Sequence, residues 1–261
     1  MIGLVATANE SSQRGLYTDC MVLLEGITVS FDGFKALDID RFCVKRNELR
    51  VVIGPNGAGK TTMCDVISGK TRAAAGRVHF DGIDVTHRAD VQIARLGVGR
   101  KFQTPTVFDS LTVYQNMELA LPGQRGVWRT LFARQSLKQQ EAILSILHRV
   151  RLVEDLHTPA KYLSHGQRQW LEISMLILAD PKLLLVDEPA AGLTDRETEL
   201  TAQLLLELAG RHTIIVIEHD MEFVRRLNSR ITVLNEGRIL AEGTLDQVQA
   251  NPQVIEAYLG R

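Results

Sequence analysis

Cysteine is scarce: three stand in 261 residues, at positions 20, 43 and 64, far apart and without a CxxC pair. That spacing indicates neither a disulfide framework nor a zinc site, and a reducing cytoplasm is the simplest expectation. Charge of either sign is not in excess, since 30 Lys and Arg face 31 Asp and Glu and leave a formal net charge of −1. Composition therefore gives no electrostatic ground for tight nucleic-acid binding, which leans on phosphate contacts to a basic surface. No apolar run approaches the ~20 residues of a spanning helix. The first 20 residues lack the basic start and long apolar stretch of a secretory signal. Any membrane association is expected to run through partners. No internal repeat and no low-complexity segment stand out.

Hydrophobic residues make up 45% of the chain, enough to fill a sizeable core. Residues 1–20 are polar and aperiodic and are expected to form a flexible extension, with Met21 an alternative natural start. Apolar runs with β-branched residues predict strands at Leu23–Phe31, Leu37–Val44, Leu49–Ile53, Val78–Phe80, Leu183–Asp187, Thr213–Ile217, Ile231–Leu234 and Arg238–Ala241. Helical periodicity follows Lys60 and recurs over Val113–Leu121, Leu137–Val150, Gly166–Ala179 and Glu197–Leu208. Strands, a glycine loop, a mostly helical middle and then alternating strands and helices predict an α/β core with a helical insertion.

Gly54-Pro55-Asn56-Gly57-Ala58-Gly59-Lys60-Thr61 fits G-x-x-x-x-G-K-[ST] at every fixed position, after an apolar strand and before a helix. The glycines let backbone N–H groups converge on phosphate oxygens, and the helix start adds partial positive charge. Lys60 reaches toward the β- and γ-phosphates, the Thr61 hydroxyl is the magnesium ligand, and Thr62 follows on the same turn. An ordinary glycine turn would not need this context on both sides. Leu183–Val186 is an apolar strand that ends in Asp187, Glu188 and Pro189. Asp187 at the strand's carboxyl end suits magnesium, and Glu188 suits the polarisation of a water. Alone, a strand followed by an acidic turn would be a fair competitor; beside the phosphate loop the ligand-holding reading is the stronger.

Leu163-Ser164-His165-Gly166-Gln167 stands just before the helix that leads to the acidic strand. It resembles the LSGGQ signature of ATP-binding cassette proteins, with His165 in place of the first glycine. The resemblance runs from about Val22 to the C-terminus and supplies further roles. It puts Gln103 in the Q-loop, as a catalytic residue and a magnesium ligand. It makes His219 the switch histidine and Ala191-Gly192-Leu193-Thr194-Asp195 the D-loop, with Asp195 its acidic member. Phe31 falls where an aromatic stacks on adenine, although Phe34 is a near competitor. Glutamines are mostly solvated and a lone histidine is mostly structural, so Gln103 and His219 carry weight only in this company.

The resemblance implies a P-loop NTPase core of ATP-binding cassette type, with an antiparallel β subdomain and a helical subdomain inserted at about 104–180 within a domain spanning 21–261. It implies ATP and Mg²⁺ as ligands and hydrolysis of ATP. It also implies a head-to-tail dimer in which Ser164, His165, Gly166 and Gln167 face the partner's nucleotide. The second ATPase subunit is the same chain or a sister subunit. The segments RKFQTPTVF, LTVYQNMELALPG and LSHGQRQWLEI look most like the branched-chain amino acid and urea importer branch, nearest its urea-type ATPases, and the ending at residue 261 suits that branch. The implied partners are membrane permease subunits, whose short helix would dock near Phe108, and indirectly a solute-binding protein. The implied place is the inner membrane's cytoplasmic face. The competing reading is a soluble cassette ATPase acting on DNA, ribosomes or Fe–S assembly. A phosphoryl-transferring kinase would need an acceptor pocket instead of a signature.

Overall fold

The computed structural model describes residues 19–101, 107–121 and 136–259. Two sheets organise them. The antiparallel one runs in the order β2-β1-β4-β5, from β1 (Cys20–Phe31), β2 (Phe34–Lys45), β4 (Ala75–Phe80) and β5 (Ile83–Asp84). The other runs β10-β9-β3-β8-β7-β6, from β3 (Leu49–Ile53), β6 (Val98–Lys101), β7 (Leu183–Asp187), β8 (Thr213–Ile217), β9 (Arg230–Asn235) and β10 (Arg238–Gly243). Its strands are parallel except for β10, which turns back against β9.

Strands β3, β7 and β8 are buried along their whole length because both faces of the parallel sheet are covered. Side chains alternate between the two faces. Leu49, Val51, Ile53, Leu184, Val186, Ile214 and Val216 join a core with the helices α3 (Val113–Ala120), α4 (Leu137–Arg149), α5 (His165–Leu178), α6 (Asp195–Leu208) and α7 (Met221–Leu227). Val52, Leu183, Leu185, Ile215 and Ile217 face the other way. They pack with the antiparallel sheet and with α1 (Lys60–Ile67) and α2 (Asp90–Leu96). Two short helices, α8 (Leu245–Gln249) and α9 (Pro252–Leu259), close the described chain. None of the described helices is long and apolar enough to cross a membrane.

Helix starts follow local chemistry. Thr112, Ser136, Ser164 and Thr194 each accept from the N–H three residues on, and Gln115, Gln139, Gln167 and Glu197 return the bond to the cap residue. These are capping boxes, worth about 1 kcal/mol each.

Three expectations need correction. Cys20 and Cys43 form a disulfide, their Cα atoms 5.7 Å apart, and Cys64 is the free, buried cysteine. The pairing is set by the antiparallel register of β1 and β2, which shifts between Cys20 and Val22 and brings Cys20 across from the end of β2; linear spacing carries no trace of it. The first strand accordingly begins at Cys20, inside the stretch expected to be flexible, while residues 1–18 lie outside the described ones. Finally, β6, α2, α7, α8 and α9 have no counterpart among the elements expected from periodicity.

Candidate nucleotide site

Strand β3 delivers the phosphate loop at the carboxyl end of the parallel sheet, where open α/β folds hold ligands. Gly59 caps α1 with φ of 99°, a left-handed conformation, and a Cβ there would lie 2.6 Å from the carbonyl oxygen of Ala36. Only glycine meets both conditions. Asn56, Gly57 and Thr61 are exposed, Thr62 is half-buried, and Gly54, Ala58 and Lys60 are buried. The Lys60 ammonium turns back on its own loop, donating to the carbonyls of Gly54 (2.8 Å) and Pro55 (3.0 Å). Burial pulls its pKa down, and the charges of Glu188 and Asp187 oppose that.

Asp187 ends β7 and is buried. Its Oδ1 has no hydrogen-bond partner, and burial raises its pKa. Glu188 follows with φ of 48°, a left-handed conformation uncommon outside glycine. Its N–H donates to the Ile217 carbonyl at 3.0 Å. Beyond β8, the buried Glu218 accepts from the N–H groups of Ala190 (2.9 Å), His219 (3.0 Å) and Asp220 (3.3 Å). Burial raises its pKa, and those three bonds oppose the rise. Glu218 thus ties the turn after Glu188 to the turn before α7. His219 Nδ1 lies 3.5 Å from Glu188 Oε1 on a largely exposed side chain.

The fit to magnesium can be judged from these donors. Among the described residues no cluster of three or more His, Cys, Asp and Glu would hold a metal. The donors of the kind a hard cation takes are the unpartnered Asp187 Oδ1 and the hydroxyl of the exposed Thr61. Such oxygen donors suit Mg²⁺, which binds through one or two carboxylates plus substrate phosphates.

The structure brings Lys60, Asp187, Glu188 and His219 together. The residues expected to form the signature make a second cluster. Ser164 and His165 are exposed at the start of α5, Gly166 is buried, and Gln167 donates to Asp155 Oδ2 at 2.9 Å. The His165 ring meets Gln169 (2.9 Å) and lies over Gly192, while Asp195 is exposed at the start of α6. The segments expected to be signature and D-loop therefore lie side by side.

Phe31 and Phe34 face each other across the β1–β2 turn, both exposed. It is Phe34 that lines the cavity of about 700 Å³ beside Pro55, Asn56, Gly57 and Ala58, so the geometry favours the competitor over Phe31. Gln103 lies outside the described residues. Phe108, expected to border a docking groove, is half-exposed but does not line the cavity of about 560 Å³ that includes Val91, Ala94, Leu119, Leu121 and Leu176. Sequence reasoning missed Glu218, Lys101 and Glu172, all buried around the strand ends. The available signal was a charge inside an apolar run, as Glu172 is within α5.

A parallel sheet that presents this loop, with an acidic strand end beside it, defines a P-loop ATPase. Residues 37–191 match the family described as "ABC transporter", and residues 238–261 match "Branched-chain amino acid ATP-binding cassette transporter". The chain is 35% identical to the high-affinity branched-chain amino acid transport ATP-binding protein BraF of Pseudomonas aeruginosa, over 91% of this chain and 96% of that one. It superposes on a nucleotide-free ATP-binding cassette from an ABC transporter with a TM-score of 0.80 at 30% identity, covering 93% of this chain and 100% of that one. A dimeric post-hydrolysis cassette bound to ADP and Pi is similar at a TM-score of 0.74 and 26% identity, over 86% and 99%. The chain belongs to the ABC transporter family: it is an ATP-hydrolysing cassette that binds ATP with Mg²⁺.

Proposed function

We propose that the chain is the ATP-hydrolysing subunit of an importer of the branched-chain amino acid type, working at the membrane's cytoplasmic face. The observation that carries this reading is the similarity to BraF along nearly the whole of both chains, with the C-terminal match as a second, independent segment. Cargo is read at two levels. The relative's name points to branched-chain amino acids, whereas RKFQTPTVF and LSHGQRQWLEI point by resemblance to urea or a short amide.

In the proposed chemistry, Lys60 leaves the loop carbonyls for the β- and γ-phosphates, and backbone N–H groups of the loop hold the remaining oxygens. Bound Mg²⁺, held by Thr61, Asp187 and Gln103, supplies charge neutralisation at the phosphates. Glu188 orients a water whose oxygen bonds to the γ-phosphorus as the bond to the bridging oxygen breaks. The water proton passes to Glu188, and ADP and phosphate leave. His219, 3.5 Å from Glu188, senses the γ-phosphate from the next strand end.

Ser164 to Gln167 face the nucleotide of a second ATPase subunit, and the exposure of Ser164 and His165 supports that role. Residues of about 104–180 constitute the inserted helical unit. The cavity flanked by the exposed Val91 and Leu119 is the seat of a permease helix, an apolar surface that wants a cover.

The test is affinity capture of the Glu188→Gln chain with ATP and Mg²⁺ from detergent-solubilised membranes of its source cells. The variant is expected to bind ATP, lose turnover, and recover polytopic permease subunits with a second cassette protein. Stimulation of the reconstituted native ATPase by urea or by leucine then assigns the cargo. Recovery of ribosomes or nucleic acid alone would move the function to a soluble cassette ATPase.

A further inference from the structure

Strand β6 ends on a lysine in an unusual place. Lys101 is paired in register with Val186 of β7 and is fully buried, which lysine almost never is without compensating partners. Its ammonium lies 3.5 Å from the carbonyl oxygen of Asp187. The charges that face it are Glu172 of α5, Asp187 and Glu188 at the end of β7, and Glu218 at the end of β8. Three of these four carboxylates are buried. Ionised groups in such a place need a cation or hydrogen bonds beside them. Glu218 has its three backbone donors; Lys101 supplies a positive charge to the cluster as a whole.

The carbonyl that Lys101 approaches belongs to the peptide joining Asp187 to Glu188. That peptide leads into the left-handed conformation of Glu188. A non-glycine residue keeps such a conformation only when its surroundings over-determine it. The surroundings here are the Glu188 N–H bond to Ile217, the Glu218 bond to Ala190, and Lys101 on the intervening carbonyl. Glu172 belongs to the helix whose first turn is the signature, about 12 Å further along its axis. One cation therefore faces both the strand end that would carry the water-activating carboxylate and the helix that would carry the signature.

We infer that Lys101 is a positioning residue for hydrolysis: sealed between the strand ends and α5, its ammonium fixes the Asp187–Glu188 turn against the signature helix. The inference rests on the hydrolytic roles proposed above. Its ammonium acts on the reaction through Glu188.

The experiment uses the full chain with Lys101→Met, which keeps length and removes charge. Single-turnover hydrolysis of ATP is expected to fall about tenfold or more, while the Kd of a fluorescent ATP analogue with Mg²⁺ stays within about threefold. A merely structural role would weaken both together. If Lys101→Met does not fold, Lys101→Met/Glu172→Gln removes the cation and its facing carboxylate at once, and the same split is expected. A folded variant with native turnover, or one that loses affinity in step with rate, overturns the inference. Glu188→Gln is run alongside: normal turnover there would refute the hydrolytic reading itself and leave Lys101 unassigned.

Discussion

Gly166 offers the sharpest test of how the start of α5 packs on the start of α6. A Cβ built there would lie 2.7 Å from the Glu197 carboxyl carbon, nearer still to Oε1, and 3.1 Å from Leu193 Cδ2. Ordinary contact begins at 3.4 Å, so Gly166→Ala must push the carboxylate by roughly 1 Å. Glu197 is not free to yield. Its Oε2 accepts from the Thr194 N–H at 2.9 Å and the Thr194 hydroxyl at 2.8 Å, which closes the capping box of α6. Losing that cap costs about 1 kcal/mol, and crowding Leu193 about 1 kcal/mol more. The gain in helix propensity from Gly to Ala is at most about 1 kcal/mol, and smaller at a helix's second residue. The balance is a destabilisation of about 1 kcal/mol, or about 2–4 °C in melting temperature for a domain of this size. Calorimetry on Gly166→Ala, Glu197→Ala and the double variant checks it. With Glu197 already truncated, only the Leu193 contact remains and the gain in helix propensity offsets it, so the double variant should melt with Glu197→Ala and not below it. Strict additivity of the two losses would refute the argument.

Three further outcomes are expected. Trp170→Phe removes the buried bond from the indole N–H to Thr201 Oγ1 (3.0 Å), and should lower stability by about 1 kcal/mol in urea unfolding, with an unchanged m-value. Reductant should lower the melting temperature by opening Cys20–Cys43, whose closed loop is worth about 3 kcal/mol in the chain-entropy model. Burial pushes the Cys64 thiol up to about 12, so the native chain should show no reactive thiol, and the unfolded chain one without reductant and three with it.

The parts of the fold that the sequence disclosed are those governed by local chemistry. Strands β3, β7 and β8 are unbroken apolar runs because both faces of their sheet are covered, and burial on both faces is written in residue type. The phosphate loop was legible because its glycines answer local backbone demands. Strand β6 was not, because Val-Gly-Arg-Lys has no apolar alternation and a single β-branched residue, Val98, and is a strand only by pairing with β7. The disulfide and the cluster around Lys101 share that cause. Each joins residues whose proximity depends on strand register, and register is a property of pairs. Phe31 and Phe34 could not be separated for the opposite reason: they lie three positions apart on one turn, and only the position of the cavity distinguishes them.

The strand that presents the phosphate loop has both neighbours in the last quarter or so of the chain, since β3 is flanked by β8 and β9. A ribosome therefore releases the loop long before the strands that would hold it exist. The β1–β2 hairpin is local and can form early, but the central pairs are non-local and slow by nature. A chain that still lacks β8 and β9 leaves β3 without both its partners, the kind of exposed apolar edge that invites aggregation. Nucleotide can stabilise only a chain that is nearly complete, so ATP acts as a ligand of the finished domain and gives the nascent one no help.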